Sequence, residues 1–261
     1  MDLGIANRVA FVAASTSGLG RGAALALGAE GVKVCVTGRT RERCQPVVDE
    51  IRASGGTAIA APMDVEDAQT VESALATCVK ELGAIDILVL NGPGPKPGLP
   101  SAVSGEDVEG AVRRLLTPHV QMVGTTLPGM RERGWGRIIA IGSTAVITPS
   151  EQLVLSTLGR QALAGYLKAL ATEVGPDGVT VNLVHPGRIA TPRIDQLDAD
   201  QAEREGSTAE AVRAKFENTI PVRRLGKPAE MGAAIAFLAS APAAYITGTS
   251  LRLDGGATPV A

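Results

Sequence analysis

Seven short apolar runs recur along the chain, separated by longer segments whose apolar residues follow a helical period. The runs show little polar alternation, which is typical of strands buried on both faces of a parallel sheet. Strand and helix alternate without a repeat or a linker, which predicts one doubly wound, Rossmann-like α/β domain over residues 1–261. The predicted strands span residues 9–14, 32–37, 57–61, 85–90, 136–141, 179–184 and 250–254.

The segments between these strands predict helices, the main ones at residues 21–30, 106–133, 152–174 and 227–240. Pro46 is expected in the first turn of its helix, where a missing N–H is tolerated. Pro118 lies inside a long helical stretch and should kink it. The polar stretch 195–210 predicts a mobile lid or substrate loop.

The first predicted strand runs into a turn of small residues, Ser15-Thr16-Ser17-Gly18, and a helix follows from Gly20. Such an arrangement binds anions, because backbone N–H groups and the positive end of the helix dipole face one point. Glycine also lets a pyrophosphate approach closely. The pattern predicts a dinucleotide site, with an ordinary strand-to-helix turn as the alternative.

The end of the second predicted strand indicates which dinucleotide is preferred. NAD-binding sheets place an acidic residue there to bind the ribose hydroxyls. Here Gly38 takes that position and Arg39 follows. Because arginine can pair with a 2′-phosphate, NADP(H) is favoured over NAD(H), unless Arg39 is only a solvated residue of a basic loop. After the third strand, Asp64 could contact adenine or cap the next helix.

Glycines and polar residues collect where the predicted strands end. The carboxyl ends of parallel strands meet at one edge of the sheet, where open α/β folds bind their ligands. The sequence therefore predicts a ligand cleft at this edge. The residues concerned are Gly18, Arg39, Asp64, Asn91, Ser143 and Pro186.

Composition narrows the choice of partners. The chain is 45% hydrophobic, enough for a large core, and 25 basic against 27 acidic side chains leave no basic stripe for nucleic acid. Aromatic residues make up only 2% of the chain, so base-stacking surfaces are not expected. No apolar run reaches membrane-spanning length, and Cys35, Cys44 and Cys78 lack metal-ligand spacing. We expect a cytoplasmic protein that acts on a small molecule without a metal.

Several segments resemble motifs of the short-chain dehydrogenase/reductase family, in the family's order and over almost the whole chain. Residues 13–20 are similar to its Thr-Gly-x-x-x-Gly-Ile-Gly turn, and Asn91-Gly92-Pro93-Gly94 is similar to its Asn-Ala-Gly turn. Residues 186–191 match its Pro-Gly-x-Ile-x-Thr segment, and the C-terminal signature is represented at 220–230, 237–240, 245–248 and 254–256. The likeness is strongest to members that reduce 3-oxoacyl groups on acyl carrier protein.

This resemblance implies an oxidoreductase that acts on a carbonyl or hydroxyl group with a nicotinamide dinucleotide. It also implies a homodimer or homotetramer, built through the two long helices and the C-terminal segment. The implied cofactor-binding residues are Ala14, Ser15, Thr16, Gly18, Leu19, Gly20, Arg39, Asp64, Val65, Asn91, Gly92, Arg160, Pro186, Gly187, Ile189 and Thr191.

The catalytic positions depart from the family's pattern. The family uses Asn, Ser, Tyr and Lys, the last two as Tyr-x-x-x-Lys on one helix. Ser143 matches the serine, but Leu115, Ser156 and Arg160 stand at the other positions, and Tyr-x-x-x-Lys occurs nowhere in the chain. A serine hydroxyl is a far weaker acid than a phenol, and a guanidinium stays charged. The usual proton relay is therefore not expected.

Ser156 and Arg160 are one helical turn apart and should share a face opposite Ser143. This spacing predicts a polar pocket of two hydroxyls and one cation as the catalytic group. Arg160 could bind the nicotinamide ribose, stabilise an oxyanion or hold a substrate carboxylate. Arg188 and Arg193 favour an anionic or thioester substrate, unless their charges are merely solvated.

His185 adjoins the Pro186 turn and is the better placed of the two histidines to act as a substitute proton donor, with a structural role as the alternative. Three functions therefore compete. The first is an NADP(H)-dependent oxidoreductase with a non-standard proton donor, acting on a 3-oxoacyl thioester or another anionic ketone. The others are a non-redox enzyme on the same scaffold and a catalytically silent dinucleotide-binding protein. The retained polar pocket favours the first.

Overall fold

All the predicted strands pair in one parallel sheet in the computed structural model, which describes residues 2–259. The strands are β1 (Val9–Val12), β2 (Lys33–Gly38), β3 (Thr57–Pro62), β4 (Ile87–Leu90), β5 (Gly136–Ile141), β6 (Val179–Pro186) and β7 (Ser250–Leu253). Their order across the sheet is β3-β2-β1-β4-β5-β6-β7, and every neighbouring pair is parallel. The doubly wound α/β fold is confirmed.

Helices cover both faces of this sheet. They are α1 (Gly18–Ala29), α2 (Arg41–Ala53), α3 (Ala68–Leu82), α4 (Gly105–Leu115), α5 (Thr117–Glu132), α6 (Val154–Val174), α7 (Pro192–Glu205), α8 (Ala209–Thr219) and α9 (Pro228–Ala239). Alternate strand residues enter two separate cores. In β1, Val9 and Phe11 pack in the core that contains α3, α5 and α6, whereas Ala10 and Val12 pack in the core that contains α1, α2 and α9.

Pro118 and Pro46 occupy positions in their helices that differ from the predicted ones. The long helix predicted over 106–133 is two helices, because the chain breaks at Leu116 between α4 and α5. Pro118 lies in the first turn of α5, so it begins a helix and does not kink one. Pro46 lies inside α2, whose N-cap is Thr40, and not in its first turn.

The prediction of a loop over residues 195–210 is wrong, because α7 and α8 occupy most of this stretch. Asp198 is fully buried on α7, where it pairs with Arg188 and Arg213. Asp195 and Asp198, two of the polar residues that indicated a loop, therefore join α7 to α8 through ion pairs with Arg213.

Asp64 does not cap the helix that follows β3. The N-cap of α3 is Asp67, whose carboxylate accepts hydrogen bonds from the N–H groups of Gln69 and Thr70. Asp64 is exposed, and its Oδ1 accepts a hydrogen bond from the Glu66 N–H at 3.0 Å. The capping role predicted for Asp64 is therefore wrong, and its contact with adenine stays a prediction.

The strand order reverses between β1 and β4, so the connections after these strands diverge to opposite faces of the sheet. A crevice opens at the carboxyl ends of the strands at such a point. Over residues 2–259, no helix combines the length and the apolar character that crossing a bilayer requires. The same stretch contains no group of three or more His, Cys, Asp or Glu side chains that could hold a metal ion.

Helices α1 and α9 are in backbone contact beside this crevice. A Cβ on Gly22 would overlap the carbonyl oxygen of Pro228, and a Cβ on Gly232 would overlap the carbonyl oxygen of Gly22. These two glycines therefore set the distance between the helices.

We predict that Gly22→Ala lowers the free energy of unfolding by about 1–3 kcal/mol, because the added methyl group overpacks the contact. Gly124→Ala is the matched control: Gly124 is helical and exposed, with no heavy atom within 4 Å of an added Cβ. It should raise stability by about 0.5–1 kcal/mol. Urea denaturation measures both values, and a Gly22→Ala variant as stable as the wild type would contradict the close contact.

Candidate active site

The turn after β1 is shaped by buried hydrogen bonds and by left-handed backbone. Ala14 has φ 47° and Gly18 has φ 55°. Ser15 is fully buried behind the turn, where its hydroxyl donates to the Val12 carbonyl at 2.8 Å. The side chain of Ser17, the N-cap of α1, makes no hydrogen bond to the first turn. The backbone N–H groups at the start of α1 are thus available to an anionic ligand.

Gly20 allows this turn to approach the end of β4. A Cβ on Gly20 would overlap the Ala14 carbonyl oxygen and lie 2.8 Å from Asn91 Nδ2. Asn91 Nδ2 donates to that same carbonyl at 3.1 Å. On the other side, a Cβ on Gly18 would lie 3.4 Å from the Thr191 side chain. The backbone around the turn therefore fits the close approach of a dinucleotide pyrophosphate.

A cleft of about 720 Å³ opens in front of this turn, a size typical of cofactor sites. Ser15 and Gly20 are buried beneath the turn and do not line it, which differs from their predicted role as cofactor contacts. The predicted residues that do line it are Ala14, Thr16, Gly18, Leu19, Arg39, Asp64, Val65, Asn91, Gly92, Ser143, Ser156, Arg160, Pro186, Gly187, Ile189 and Thr191.

Two arginines line the cleft beside the end of β2. Arg39 and Arg43 are both exposed, and neither forms an ion pair within the described part of the chain. A Cβ on Gly38 would overlap the methyl group of Thr16, which opposes an acidic side chain at that position. The end of β2 is therefore positively charged.

Two hydroxyl groups and one cation, those of Ser143, Ser156 and Arg160, also line the cleft. Arg160, on α6, donates through Nε to Ser156 Oγ at 3.3 Å and through Nη1 to the Ile141 carbonyl at 2.8 Å. Ser143 follows β5, and its Oγ accepts a hydrogen bond from the Ala145 N–H at 3.1 Å. The Arg160 guanidinium thus joins α6 to the end of β5.

Arg160 has no carboxylate partner within residues 2–259. Burial lowers the pKa of its guanidinium to about 10, so it is still charged at neutral pH. Leu115 packs against the same helix, since a Cβ on Gly159 would lie 2.8 Å from the Leu115 side chain. The Leu115 side chain therefore brings no polar atom to α6. Ser156, on α6, accepts a hydrogen bond from the Arg160 guanidinium.

Neither histidine lines the cleft. His185 is fully buried in β6, and its Nδ1 accepts a hydrogen bond from the Ser143 N–H at 3.2 Å. This contact holds the turn that carries Ser143, so the structure supports the structural alternative for His185 over a proton donor. His119 is also buried, and its Nδ1 donates to the Leu115 carbonyl at 2.8 Å.

Of the two arginines predicted at the substrate end, one is neutralised by the protein. Arg188 pairs with buried Asp198, and its guanidinium lies 3.7 Å from the centre of the Phe216 ring. The expectation that Arg188 attracts a substrate is therefore wrong. Arg193 lines the cleft, donates to the Pro95 carbonyl at 3.3 Å and forms no ion pair in the described residues.

Three apolar residues that were not predicted from the sequence also line the cleft. They are Leu153, Ile194 and Leu197, and the last two lie close to Arg193 in the sequence. Ile194 and Leu197 are three residues apart on α7, a helical spacing that could have corrected the loop prediction. Leu153 precedes α6, and no helical spacing in the sequence marks it in the same way.

Comparison with known proteins identifies the family. A family model described as enoyl-(acyl carrier protein) reductase matches residues 13–258. Short-chain reductase protein NovJ from Streptomyces niveus is 35% identical over 248 residues, which cover 95% of this chain and 93% of NovJ. The chain belongs to the short-chain dehydrogenase/reductase family. It is therefore an oxidoreductase enzyme by family.

Two further comparisons extend this assignment. The 3-oxoacyl-[acyl-carrier-protein] reductase FabG of Vibrio harveyi is 33% identical over 254 residues, which cover 97% of this chain and 98% of FabG. The crystal structure of L-sorbose reductase from Gluconobacter frateurii, complexed with NADPH and L-sorbose, has a TM-score of 0.94 at 26% identity and covers all of both chains. The resemblance to 3-oxoacyl reductases is confirmed.

Compared with the family's catalytic pattern, the cleft of this short-chain dehydrogenase/reductase contains no phenol. Of the chain's two tyrosines, Tyr166 packs against a core on α6 and Tyr245 is fully exposed. Neither lines the cleft. The proton donor of the usual relay therefore has no counterpart at this wall.

We predict a pH dependence of stability that arises from His119. Burial lowers its pKa from 6.5 to about 4, the hydrogen bond to Leu115 opposes this shift, and the charge of Arg160 adds to it. Between these pH values the unfolded chain binds a proton that the folded chain does not. The free energy of unfolding should therefore fall as pH falls through this window, by up to about 1.4 kcal/mol per pH unit for one proton.

Urea denaturation between pH 7 and pH 4 measures this slope. His119→Gln should reduce the slope, even where it changes stability at pH 7. His185, whose pKa is also lowered by burial, leaves a residual slope of the same sign. Identical slopes for wild type and His119→Gln would contradict the assignment.

Proposed function

We propose that this protein is an NADP(H)-dependent carbonyl reductase with a non-standard proton donor, acting on a small anionic ketone or an acyl thioester. The observation that supports it is the hydrogen bond from Arg160 Nε to Ser156 Oγ at 3.3 Å, on the wall of the same cleft as the glycine-rich turn. The family membership supplies the general class of reaction.

Ser143 and Ser156 are suited to donate hydrogen bonds to one substrate oxygen. Each hydroxyl oxygen already accepts a hydrogen bond, from the Ala145 N–H and from Arg160 respectively. Each therefore keeps its own hydrogen for another acceptor. A hydroxyl that accepts from a charged guanidinium is also a stronger donor, because linked hydrogen bonds polarise one another.

These groups favour stabilisation of an oxyanion over proton transfer from a side chain. NADPH, when bound, would supply a hydride to the carbonyl carbon. Ser143 and Ser156 hold the oxygen on which negative charge develops, and Arg160 adds its positive charge from behind Ser156. Arg160 stays charged, and a serine that gave up its proton would have to regain it. The proton that completes the alcohol therefore comes from a solvent acid, hydronium or a protonated buffer, which leaves as its conjugate base.

Substrate choice follows from the far end of the cleft. Arg193 would bind an anionic group of the substrate, since it has no carboxylate partner within residues 2–259. Leu153, Ile194 and Leu197 would contact the apolar part of the same molecule. This combination favours an organic acid or a long thioester over a neutral polar alcohol.

NADP(H) is preferred in this proposal because Arg39 and Arg43 would pair with a 2′-phosphate. The L-sorbose reductase structure, which contains NADPH, is consistent with this preference. NAD(H) lacks that phosphate and would gain nothing from either arginine.

Arg39→Ala and Arg43→Ala should each weaken NADPH binding by about tenfold, as expected for loss of one charge-assisted contact, and leave NADH binding almost unchanged. Arg41→Ala is the matched control, because Arg41 is exposed in the same segment and does not line the cleft. Titration calorimetry measures all affinities. Equal losses for NADPH and NADH would argue against a 2′-phosphate site.

Ser156→Ala and Ser143→Ala should each lower kcat by about a hundredfold, since each removes one oxyanion contact, while the NADPH affinity is retained. Ser150→Ala is the control, because Ser150 is exposed outside the cleft lining. The reaction is followed by nicotinamide absorbance with anionic ketones, neutral ketones and acyl thioesters. The double variant Ser156→Tyr with Arg160→Lys, which restores the family's pair, should raise ketone reduction.

Two results would overturn this proposal. Product formation without net oxidation of NADPH would indicate a non-redox enzyme on this scaffold. Tight NADPH binding with no turnover of any substrate in the panel would indicate a catalytically silent dinucleotide-binding protein.

We also propose that the protein is a homo-oligomer, a dimer or a tetramer, as the family resemblance implies. Exposed apolar side chains on the long helices support this proposal, since Val120 on α5 is 37% exposed and Leu158 on α6 is 40% exposed. Burial of these side chains against a second copy would remove apolar surface from water.

A further inference from the structure

A second cavity lies at the opposite end of the sheet from the cleft. It is about 330 Å³ in volume and opens where β5 and β6 begin. Glycines and alanines form much of its wall, and the larger side chains that line it are Trp135, Arg137, Val179, Thr180 and Thr247. The family's cofactor and substrate occupy the other end of the strands, so this cavity has no part in the proposed reaction.

Arg137 brings a buried positive charge to this cavity. Its side chain is 3% exposed, and it donates through Nε and Nη1 to the carbonyls of Gly136, Gly178 and Ser240 at 2.8, 3.4 and 3.5 Å. None of these bonds uses Nη2. Burial lowers the pKa of Arg137 to about 10, and the charge of Arg8 acts in the same direction, so the side chain is still cationic at neutral pH.

The nearby carboxylates are paired with other arginines. Asp86 lies 3.5 Å from Arg8 and 3.5 Å from Arg133, and Asp177 pairs with Arg131 at 2.6 Å. Within residues 2–259, no carboxylate forms an ion pair with Arg137. A buried cation bonded only to neutral carbonyls leaves its charge uncompensated, which is costly in a protein interior.

Thr180 adds a polar atom without a partner. It is 5% exposed, and its Oγ1 has no hydrogen-bond partner among the described residues. Arg137 and Thr180 are direct neighbours in the β5–β6 register, so their side chains leave the sheet on the same face. Both residues line the same cavity.

Trp135 fixes the position of the cation. Its ring centre lies 4.3 Å from the Arg137 guanidinium carbon and 3.9 Å from that of Arg8. This stacking holds the Arg137 side chain in place before any ligand arrives, which lowers the entropy lost on binding.

We propose that this cavity binds a small oxyanion, either inorganic phosphate or the carboxylate of a small organic acid. The anion accepts hydrogen bonds from Arg137 and from the Thr180 hydroxyl and compensates the buried charge. The site is independent of the dinucleotide cleft and of the proposed reductase activity.

The fluorescence of Trp135 tests this directly, because it is the only tryptophan in the chain and it lines the cavity. The full-length protein is titrated with phosphate and, separately, with acetate, while sodium chloride keeps the ionic strength constant. We expect a saturable change with at least one of them, and the two arms separate phosphate from carboxylate recognition. The absence of a saturable change with both would overturn the proposal.

Thr180→Val is the decisive variant. It removes the unpartnered hydroxyl without changing the volume, so the variant should be at least as stable as the wild type, and it should bind the anion about tenfold more weakly. Arg137→Gln should abolish the response, although Thr180→Val alone decides the outcome if Arg137→Gln does not fold. Equal anion affinity in Thr180→Val and wild type would overturn the proposed site, because the anion would then bind without the Thr180 hydroxyl.

A control excludes anion binding in the dinucleotide cleft. The double variant Arg39→Ala with Arg43→Ala weakens that cleft for anions, and it should leave the Trp135 response unchanged. Loss of the response in this variant would assign the signal to the cleft and overturn the proposal.

Discussion

A parallel sheet that is covered on both faces leaves polar side chains few places except the ends of its strands. In β6 all eight residues are buried, and they include His185, whose Nδ1 accepts a hydrogen bond from the Ser143 N–H, and Asn182, whose Nδ2 donates to the Ile246 carbonyl. The polar and charged side chains that could bind a ligand therefore lie at the two ends of the strands, which we call the carboxyl rim and the amino rim of the sheet. The carboxyl rim carries the glycine turn, Arg39 and Arg43 beyond the end of β2, and the serines Ser143 and Ser156, whereas the amino rim carries Arg137.

At the carboxyl rim, the buried guanidinium of Arg160 interacts with several groups. Arg160 donates to Ser156, bonds to the end of β5 and contributes to the lowered pKa of both His119 and His185. Lysine, the family's residue at this position, concentrates its charge on one nitrogen. The planar guanidinium spreads the charge and makes directed bonds to two elements at once, which favours a fixed electrostatic role over proton relay.

Ion pairing decides which cations face a ligand. Arg188 and Arg193 are five residues apart and look alike in the sequence, yet buried Asp198 neutralises the first and leaves the second at the cleft. The same rule separates Arg114, which pairs with Glu66, from Arg39. A charge that is already compensated has little to gain from a ligand, so the proposed function assigns recognition to the uncompensated arginines.

The sequence alone predicts the seven strands, their parallel arrangement and the rim where the cleft opens, because buried strands need continuous apolar runs and parallel connections need helices. It also placed Ser156 and Arg160 on one helix face, since helical spacing is local. It did not reveal that residues 195–210 are helical, that Asp67 and not Asp64 caps α3, or that His185 is buried. Those outcomes depend on which elements meet in space, because a polar side chain pairs with whichever group the fold places beside it. The partner of Arg188, for example, is Asp198, which lies ten residues further along the chain on α7.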